Sequence, residues 1–281
     1  MTIQAVAEHL GVSSDVIKQI QKKHLQHRFR RIKLGHLRRL AIDEISIGRH
    51  HRYLTVVLDL DSGAVVFIGE GKGTATLEPF WKRLRASRAK IEAVATDMSP
   101  AYIAAVAEHL PRAIHVFDRF HVVKLFNDKL SELRRLVQNN AETAEQKQAI
   151  KGTRWILLKN PVNLNEQRDE HRRLEEALHI NKPLAIAYDL KEDLRQLWEQ
   201  PDKTTAARFL DDWIARAQST VMPILSRFAR TLTIYRQGRL AWYDAPISTG
   251  PLEGTNNKIK TMQRQAYGFR DQEFFKLKIH A

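Results

Sequence analysis

The chain has no cysteine, which excludes disulfides and any thiolate zinc site within it. No stretch approaches the roughly 18 uninterrupted apolar residues of a membrane helix, so no membrane association is expected. Met1 leads into an amphipathic segment containing Glu8 and His9 rather than an apolar signal core, so a cytoplasmic protein is expected. Acids are missing from one long stretch. Between Val16 and Ile42 stand nine Lys or Arg and no Asp or Glu.

The 281 residues suffice for one large domain with an insertion or for two modest domains. Hydrophobic residues make up 43%, enough for a globular core. Lys and Arg outnumber Asp and Glu 46 to 32, a formal charge of +14. That balance favours a polyanionic partner, and counterion release makes nucleic acid the leading one. The acid-free run includes Lys18, Lys22, Arg28, Arg30 and Arg31. A run of one sign repels itself unless something negative meets it.

Residues 40–46, Leu-Ala-Ile-Asp-Glu-Ile-Ser, form a short apolar strand interrupted by Asp43. Burying a carboxylate costs several kcal/mol unless a cation meets it. A metal ion and a structural Arg partner are both open at this point.

Residues 1–24 read as a helix-turn-helix. Ile3, Val6, Ala7 and Leu10 share one face, Gly11 breaks the helix, and Ser13 or Ser14 caps the next one. Val12, Ile17 and Ile20 complete the apolar contact, and Ser13, Ser14, Asp15, Lys18 and Gln19 are offered to a DNA groove. Residues 25–39 read as a basic linker of low apolar content.

Three strands follow, 40–47, 53–60 and 64–69, the last two joined by a turn at Asp61-Ser62-Gly63. His50 and His51 read as exposed loop residues, and Asp59 and Asp61 as turn acids. Gly71-Lys72-Gly73-Thr74 has the wrong glycine spacing for a phosphate loop, and no helix is expected straight after the Lys. Leu77, Phe80, Trp81 and Leu84 mark a helix with Glu78-Pro79 in its first turn. A strand at 91–96 delivers Asp97. Ser99-Pro100 opens a helix with Ile103, Val106, Ala107 and Leu110 as its buried stripe. A strand at 113–117 ends at Asp118. Three antiparallel-type strands, then helix, strand, helix and strand, is the order of a ribonuclease-H-like α/β domain. In that order the first and fourth strands are neighbours, which brings Asp43 and Asp97 together across 54 positions. Two close carboxylates repel unless a cation lies between them, as a divalent metal site requires. Glu44 points to the opposite face from Asp43.

From residue 128 to 244 the chain reads as an all-helical insertion without a repeat period. Trp155, Trp198 and Trp213 are expected in its core rather than as platforms for stacked bases. In the last part, 245–281, Gly250-Pro251 starts a helix with Glu253 in its first turn, where an acid also suits the helix dipole. Asn256, Asn257, Lys258 and Lys260 follow on nearby turns. That composition is odd for a buried helix and natural for one beside metal and phosphates.

These motifs resemble a known family, the DDE transposases of bacterial insertion sequences of the ISL-three type. The resemblance rests on residues 40–46, on Thr-Asp-Met-Ser-Pro-Ala-Tyr at 96–102, and on Asp-Arg-Phe-His-Val-Val-Lys at 118–124. Its strongest part is Gly-Pro-Leu-Glu-Gly-Thr-Asn-Asn-Lys-Ile-Lys at 250–260, with Arg-Gln-Ala-Tyr-Gly-Phe-Arg at 264–270. The resemblance implies a ribonuclease-H-like core, 40–127 with 245–281, and a catalytic and metal-binding triad of Asp43, Asp97 and Glu253. It gives Asp118 and His121 supporting places. Its members usually carry a cysteine zinc ribbon ahead of the helix-turn-helix, which is expected to be lacking here. Gln263 and Gln265 also stand where more basic character is expected.

The mechanism implied uses two magnesium ions about 3.5–4 Å apart, with manganese an acceptable substitute. Asp43 is expected to bridge both ions. Water cuts the element's end, and the freed 3′-hydroxyl attacks target DNA. Double-stranded DNA, both element ends and target, is the expected partner of a homodimer or higher oligomer at the bacterial nucleoid. Its contacts are expected from Ser13, Ser14, Lys18, Gln19, Lys22, Arg28, Arg30, Arg31, Asn257, Lys258 and Lys260. Asp118 is the alternative to Asp97 as a ligand. Rival readings are a non-catalytic DNA-binding remnant or regulator, and a structure-selective nuclease of the same fold.

Overall fold

Apolar alternation in the first half of the chain becomes five strands: β1 (Arg39–Ser46), β2 (Tyr53–Asp59), β3 (Val65–Glu70), β4 (Ala93–Thr96) and β5 (Ile114–Phe117). They form one mixed sheet in the order β3-β2-β1-β4-β5. β1 pairs antiparallel with β2 and parallel with β4, and β2 pairs antiparallel with β3. This α/β arrangement is that of a ribonuclease-H-like core, as the element order implies. The computed structural model describes residues 1–48 and 52–281. His50 and His51 lie outside the described residues.

The helices in chain order begin with α1 (Ile3–Leu10), α2 (Ser14–Phe29), α3 (Thr74–Ser87) and α4 (Pro100–His109). Eight follow among the described residues: α5 (Arg119–Asn139), α6 (Ala144–Ile150), α7 (Arg154–Leu158), α8 (Glu170–Ile180), α9 (Lys182–Arg195), α10 (Lys203–Ser219), α11 (Pro223–Ile234) and α12 (Arg236–Leu240). The last two are α13 (Gly250–Gln265) and α14 (Gln272–His280). Among the described residues no helix is long and apolar enough to cross a membrane. The chain divides into two compact units, 1–116 with 247–281, and 117–246. The second is all-helical, with borders at 117 and 246 where the sequence pattern places them at 128 and 244.

In the sheet unit, alternate residues of the strands face opposite ways. Leu40, Ile42, Val57, Val66 and Val94 join Leu77, Phe80, Trp81 and Leu84 of α3 and Tyr102, Ala105 and Val106 of α4 in one apolar core. Ala41, Asp43 and Ile45 therefore look to the other face, beside which α13 packs. Gly69 matters to this packing. A Cβ there would stand 2.4 Å from the Thr76 methyl and 2.9 Å from the Thr76 carbonyl.

Several local expectations need correction. Helix α3 starts at Thr74, two residues past Lys72, so Pro79 lies inside the helix and not in its first turn. The stripe that α4 buries is Tyr102, Ala105 and Val106, with Ala107 exposed. Tyr102 turns the helix inward, because its hydroxyl donates to Glu44 Oε1 at 2.8 Å. The first five residues of the expected linker, 25–29, belong to α2, and Leu25, Leu34 and Leu37 are buried.

The N-terminal hairpin has the expected turn. Gly11 is left-handed at φ 65° and closes α1, and Ser13 Oγ accepts from the Val16 amide. Its apolar contact differs from expectation, since Leu10, Val12 and Ile20 are exposed. The face of α2 carrying Lys18 and Lys22 meets α14 instead. Lys18 lies 3.3 Å from Asp271, and Lys22 lies 3.0 Å from Asp271 and 2.8 Å from Glu273. The acids that answer part of the basic run sit about 250 positions downstream.

Within the helical unit, Trp213 is fully buried, with Nε1 donating to the Leu190 carbonyl at 2.9 Å. It meets Phe126 and Phe228 edge-on, at centroid distances of 5.8 Å each. Trp198 is buried too. Trp155 is not: it is 66% exposed, contrary to the expected core position. Ile156 and Leu157 on the same short helix α7 take the buried places instead.

Candidate active site

The pairing of β1 with β4 fixes the first two acids. Arg39 lies opposite Ala93, Leu40 opposite Val94, and Ala41 opposite Ala95. Each pair is 54 positions apart, as are Asp43 and Asp97. Continuing this register past the end of β4 brings Asp97 level with Asp43. On β1, Asp43 points to the same side as Ala41, because residues two apart on a strand point the same way, and Asp97 follows one residue past the end of β4. Ala41 and Ala95 lie on that side, while Leu40 and Val94 enter the opposite core.

Glu253, the expected third acid, is carried by α13. Asn256 Nδ2 donates to Asp43 Oδ2 at 3.0 Å, and Gln263 Nε2 donates to the Ile47 carbonyl. Seven residues of helix span about 10 Å and four of strand about 13 Å, so α13 runs along β1 in the same direction. Glu253 lies one turn before Asn256 on the same helical face. Asn256 is 8% exposed. The sequence placed Asn256 on a helix suited to metal and phosphates, but its bond to Asp43 was not legible there.

Backbone groups hold Asp97. Its Oδ1 accepts from the Ser99 amide at 2.9 Å, just ahead of α4, where Ser99 makes no side-chain cap bond of its own. The buried Thr96 hydroxyl donates to the Asp97 carbonyl at 2.6 Å and lies 2.8 Å from His115 Nε2. Burial pushes the His115 imidazole down to about 4. The ring is therefore neutral at physiological pH. With the Thr96 proton directed at Asp97, it is His115 Nε2–H that donates to Thr96.

Negative charge accumulates here although the chain is strongly basic. Glu44, on the other face of β1, has its carboxyl pushed above the usual range. Burial is the main cause, and the charges of Asp97 and Asp43 add to it. The Tyr102 hydroxyl and Lys72 oppose the shift. Oxygen donors carrying excess negative charge are the chemistry that a hard divalent cation fits. Among the described residues no three His, Asp or Glu are already gathered closely enough to hold one ion.

Asp118 and His121 fall in the helical unit, at the start of α5. Asp118 is 1% exposed, and its Oδ2 lies 3.3 Å from His121 Nδ1. Of the residues expected to touch DNA, Ser13, Ser14, Gln19, Arg28, Arg30, Arg31, Asn257, Lys258 and Lys260 are exposed. Lys18 and Lys22 are engaged by the acids of α14.

Residues 40–279 match a family described as a transposase, the DDE transposases of the ISL-three type. The transposase for insertion sequence element IS1001 of Bordetella parapertussis is 36% identical over 282 residues, covering 99% of this chain and 69% of that protein. The transposase for insertion sequence element IS1557 of Mycobacterium tuberculosis is 34% identical over 264 residues, covering 86% of this chain and 59% of that one. The chain thus spans about three fifths of the length of the second relative and somewhat more of the first. With most of its length matched, from Leu40 to Ile279, this chain belongs to the insertion-sequence transposases of the ISL-three type.

Proposed function

We propose that the chain cuts DNA at the ends of an insertion sequence and joins the freed ends to target DNA, using Asp43, Asp97 and Glu253 around divalent magnesium. The observation that carries this reading is the common register of β1 and β4. It supports the first two acids coming level at the ends of neighbouring strands, and the Asn256–Asp43 bond supports α13 as the element that would bring the third.

When bound by these carboxylates, magnesium would supply activation of the attacking oxygen and charge stabilisation at the leaving oxygen, with manganese able to replace it. The protein's own groups do the positioning. Asn256 orients Asp43, and the Ser99 amide orients Asp97. Arg28, Arg30, Arg31, Lys258 and Lys260, with Ser13, Ser14, Gln19 and Asn257, contact the DNA backbone and fix its register. In the first step a water oxygen bonds to phosphorus, and the bond to the 3′-oxygen breaks, leaving a 3′-hydroxyl and a 5′-phosphate. In the second that hydroxyl attacks a target phosphodiester and displaces another 3′-oxygen. One ester linkage forms as one breaks, so no energy-rich co-reactant is needed and no Ser or Tyr nucleophile is called for. Pairing of two element ends makes a homodimer or higher oligomer the working form, acting at the nucleoid in the cytoplasm.

The test is strand cleavage of DNA carrying the sequence that flanks its own gene, with magnesium present and absent. The unmodified protein is expected to cut only with the metal. Asp43→Asn, Asp97→Asn and Glu253→Gln are each expected to abolish cutting while still binding the DNA. Cutting by any of the three at the unmodified rate overturns the triad.

A further inference from the structure

The helical unit carries an aromatic and cationic feature that the cleavage chemistry does not use. Trp155 lies in the first turn of α7 and is 66% exposed. The Arg154 guanidinium lies 4.7 Å from the centre of its ring. α7 packs on α5, which brings Arg134 and Arg135 to the same neighbourhood. The Arg134 guanidinium feels the other two. Burial pushes the Arg134 group below its ordinary range, and the charges of Arg135 and then Arg154 push it further. Arg134 Nε is buried without a hydrogen-bond partner. None of the three forms an ion pair among the described residues, and the nearby acid Glu132 is held by Lys129 at 2.9 Å.

Cations on packed elements that make no ion pair are a place for an anion to join. Phosphates suit that place, but phosphates alone leave the indole unexplained. An indole face offers a base about 1–3 kcal/mol of stacking, whatever the base. In a paired duplex the base faces are already covered by their neighbours. The ligand must therefore present phosphates and a base outside the stack together.

We infer that Arg134, Arg135, Arg154 and Trp155 form a site for a DNA strand with an unpaired base, the arginines on its phosphates and the indole against the base. The inference takes from the proposed function only that DNA is the ligand. It concerns binding, requires no metal, and stands apart from the triad.

The test uses the full chain in a chelator, so that no strand is cut. Two labelled duplexes are compared by fluorescence anisotropy, one fully paired and one carrying a single unpaired 2-aminopurine. The unmodified protein is expected to bind the second about tenfold more tightly, with quenching of the 2-aminopurine as it stacks. Trp155→Ala, at a largely exposed position, is expected to remove both the preference and the quenching, and Trp155→Phe to restore most of each. Arg135→Gln is expected to weaken both duplexes alike and to lower the salt slope by about one. Preference and quenching that persist in Trp155→Ala overturn the site, as does equal binding of the two duplexes by the unmodified protein. Both results leave metal-dependent cleavage untouched. Failure to bind either duplex would instead strike at the proposed function as well.

Discussion

Asn256→Ala is the sharpest probe of how the first acid is held. The Asn256 amide lies 3.0 Å from Asp43 Oδ2, and the residue is 8% exposed, so water is poorly placed to replace the lost donor. A hydrogen bond to a charged group contributes about 1.5–3 kcal/mol. If that energy serves to hold the carboxylate in its working position, its loss slows cleavage by about 10- to 150-fold, since about 1.4 kcal/mol is a factor of ten. The assay is single-turnover cleavage in magnesium, at enzyme concentrations that saturate the DNA, so that weaker binding does not masquerade as slower chemistry. Circular dichroism melting of the same samples separates a misplaced acid from an unfolded protein. A folded Asn256→Ala protein that cuts within about twofold of the unmodified rate would refute the reasoning. It would mean that the α13 contact is packing alone.

Other outcomes follow from the same coordinates. Glu44 has a raised pKa, and such a carboxyl supports the fold below its unfolded value and loses that support as pH rises through the folded one. Asp43→Asn removes one of the charges that raise it, so it should increase the melting temperature at pH 7 and change it less near pH 4, while abolishing cleavage; an equal or opposite shift counts against the acid cluster. Trp213→Ala empties a fully buried site and removes the Nε1 bond to the Leu190 carbonyl, costing about 3–5 kcal/mol in denaturant unfolding. A cost below about 1 kcal/mol would show that the helical core has other ways to close. Asp271 caps α14 through the Phe274 amide at 3.0 Å and pairs with two lysines. Asp271→Ala should therefore destabilise by about 1–2 kcal/mol and Asp271→Asn by less, because Asn keeps the cap; equal losses would assign the effect to charge instead.

The sheet was legible because its strands are short apolar runs between turn signals, and their order implied that the first and fourth would meet. The parallel pairing of β1 with β4 could thus be anticipated before any coordinate was known. Helix starts were read less well. Thr74 opens α3 without a side-chain cap, and Pro79 looked like a first-turn proline although it stands farther in. Contacts made at long separation were invisible, since nothing near Lys22 announces Asp271 and nothing near Asp43 announces Asn256. Trp155 shows a different limit. Apolar spacing says that a segment is helical and has an inner side, but in a helix of five residues it does not say which residue faces out.

The interruption of the sheet unit imposes an order on synthesis. The ribosome completes all five strands first, then the whole of 117–246, and only afterwards the segment that lies along β1. Until residues beyond 250 emerge, the side of β1 bearing Ala41, Asp43 and Ile45 has no α13 to cover it. A nascent chain can therefore own a finished sheet whose Asp43 still lacks the Asn256 amide that holds it.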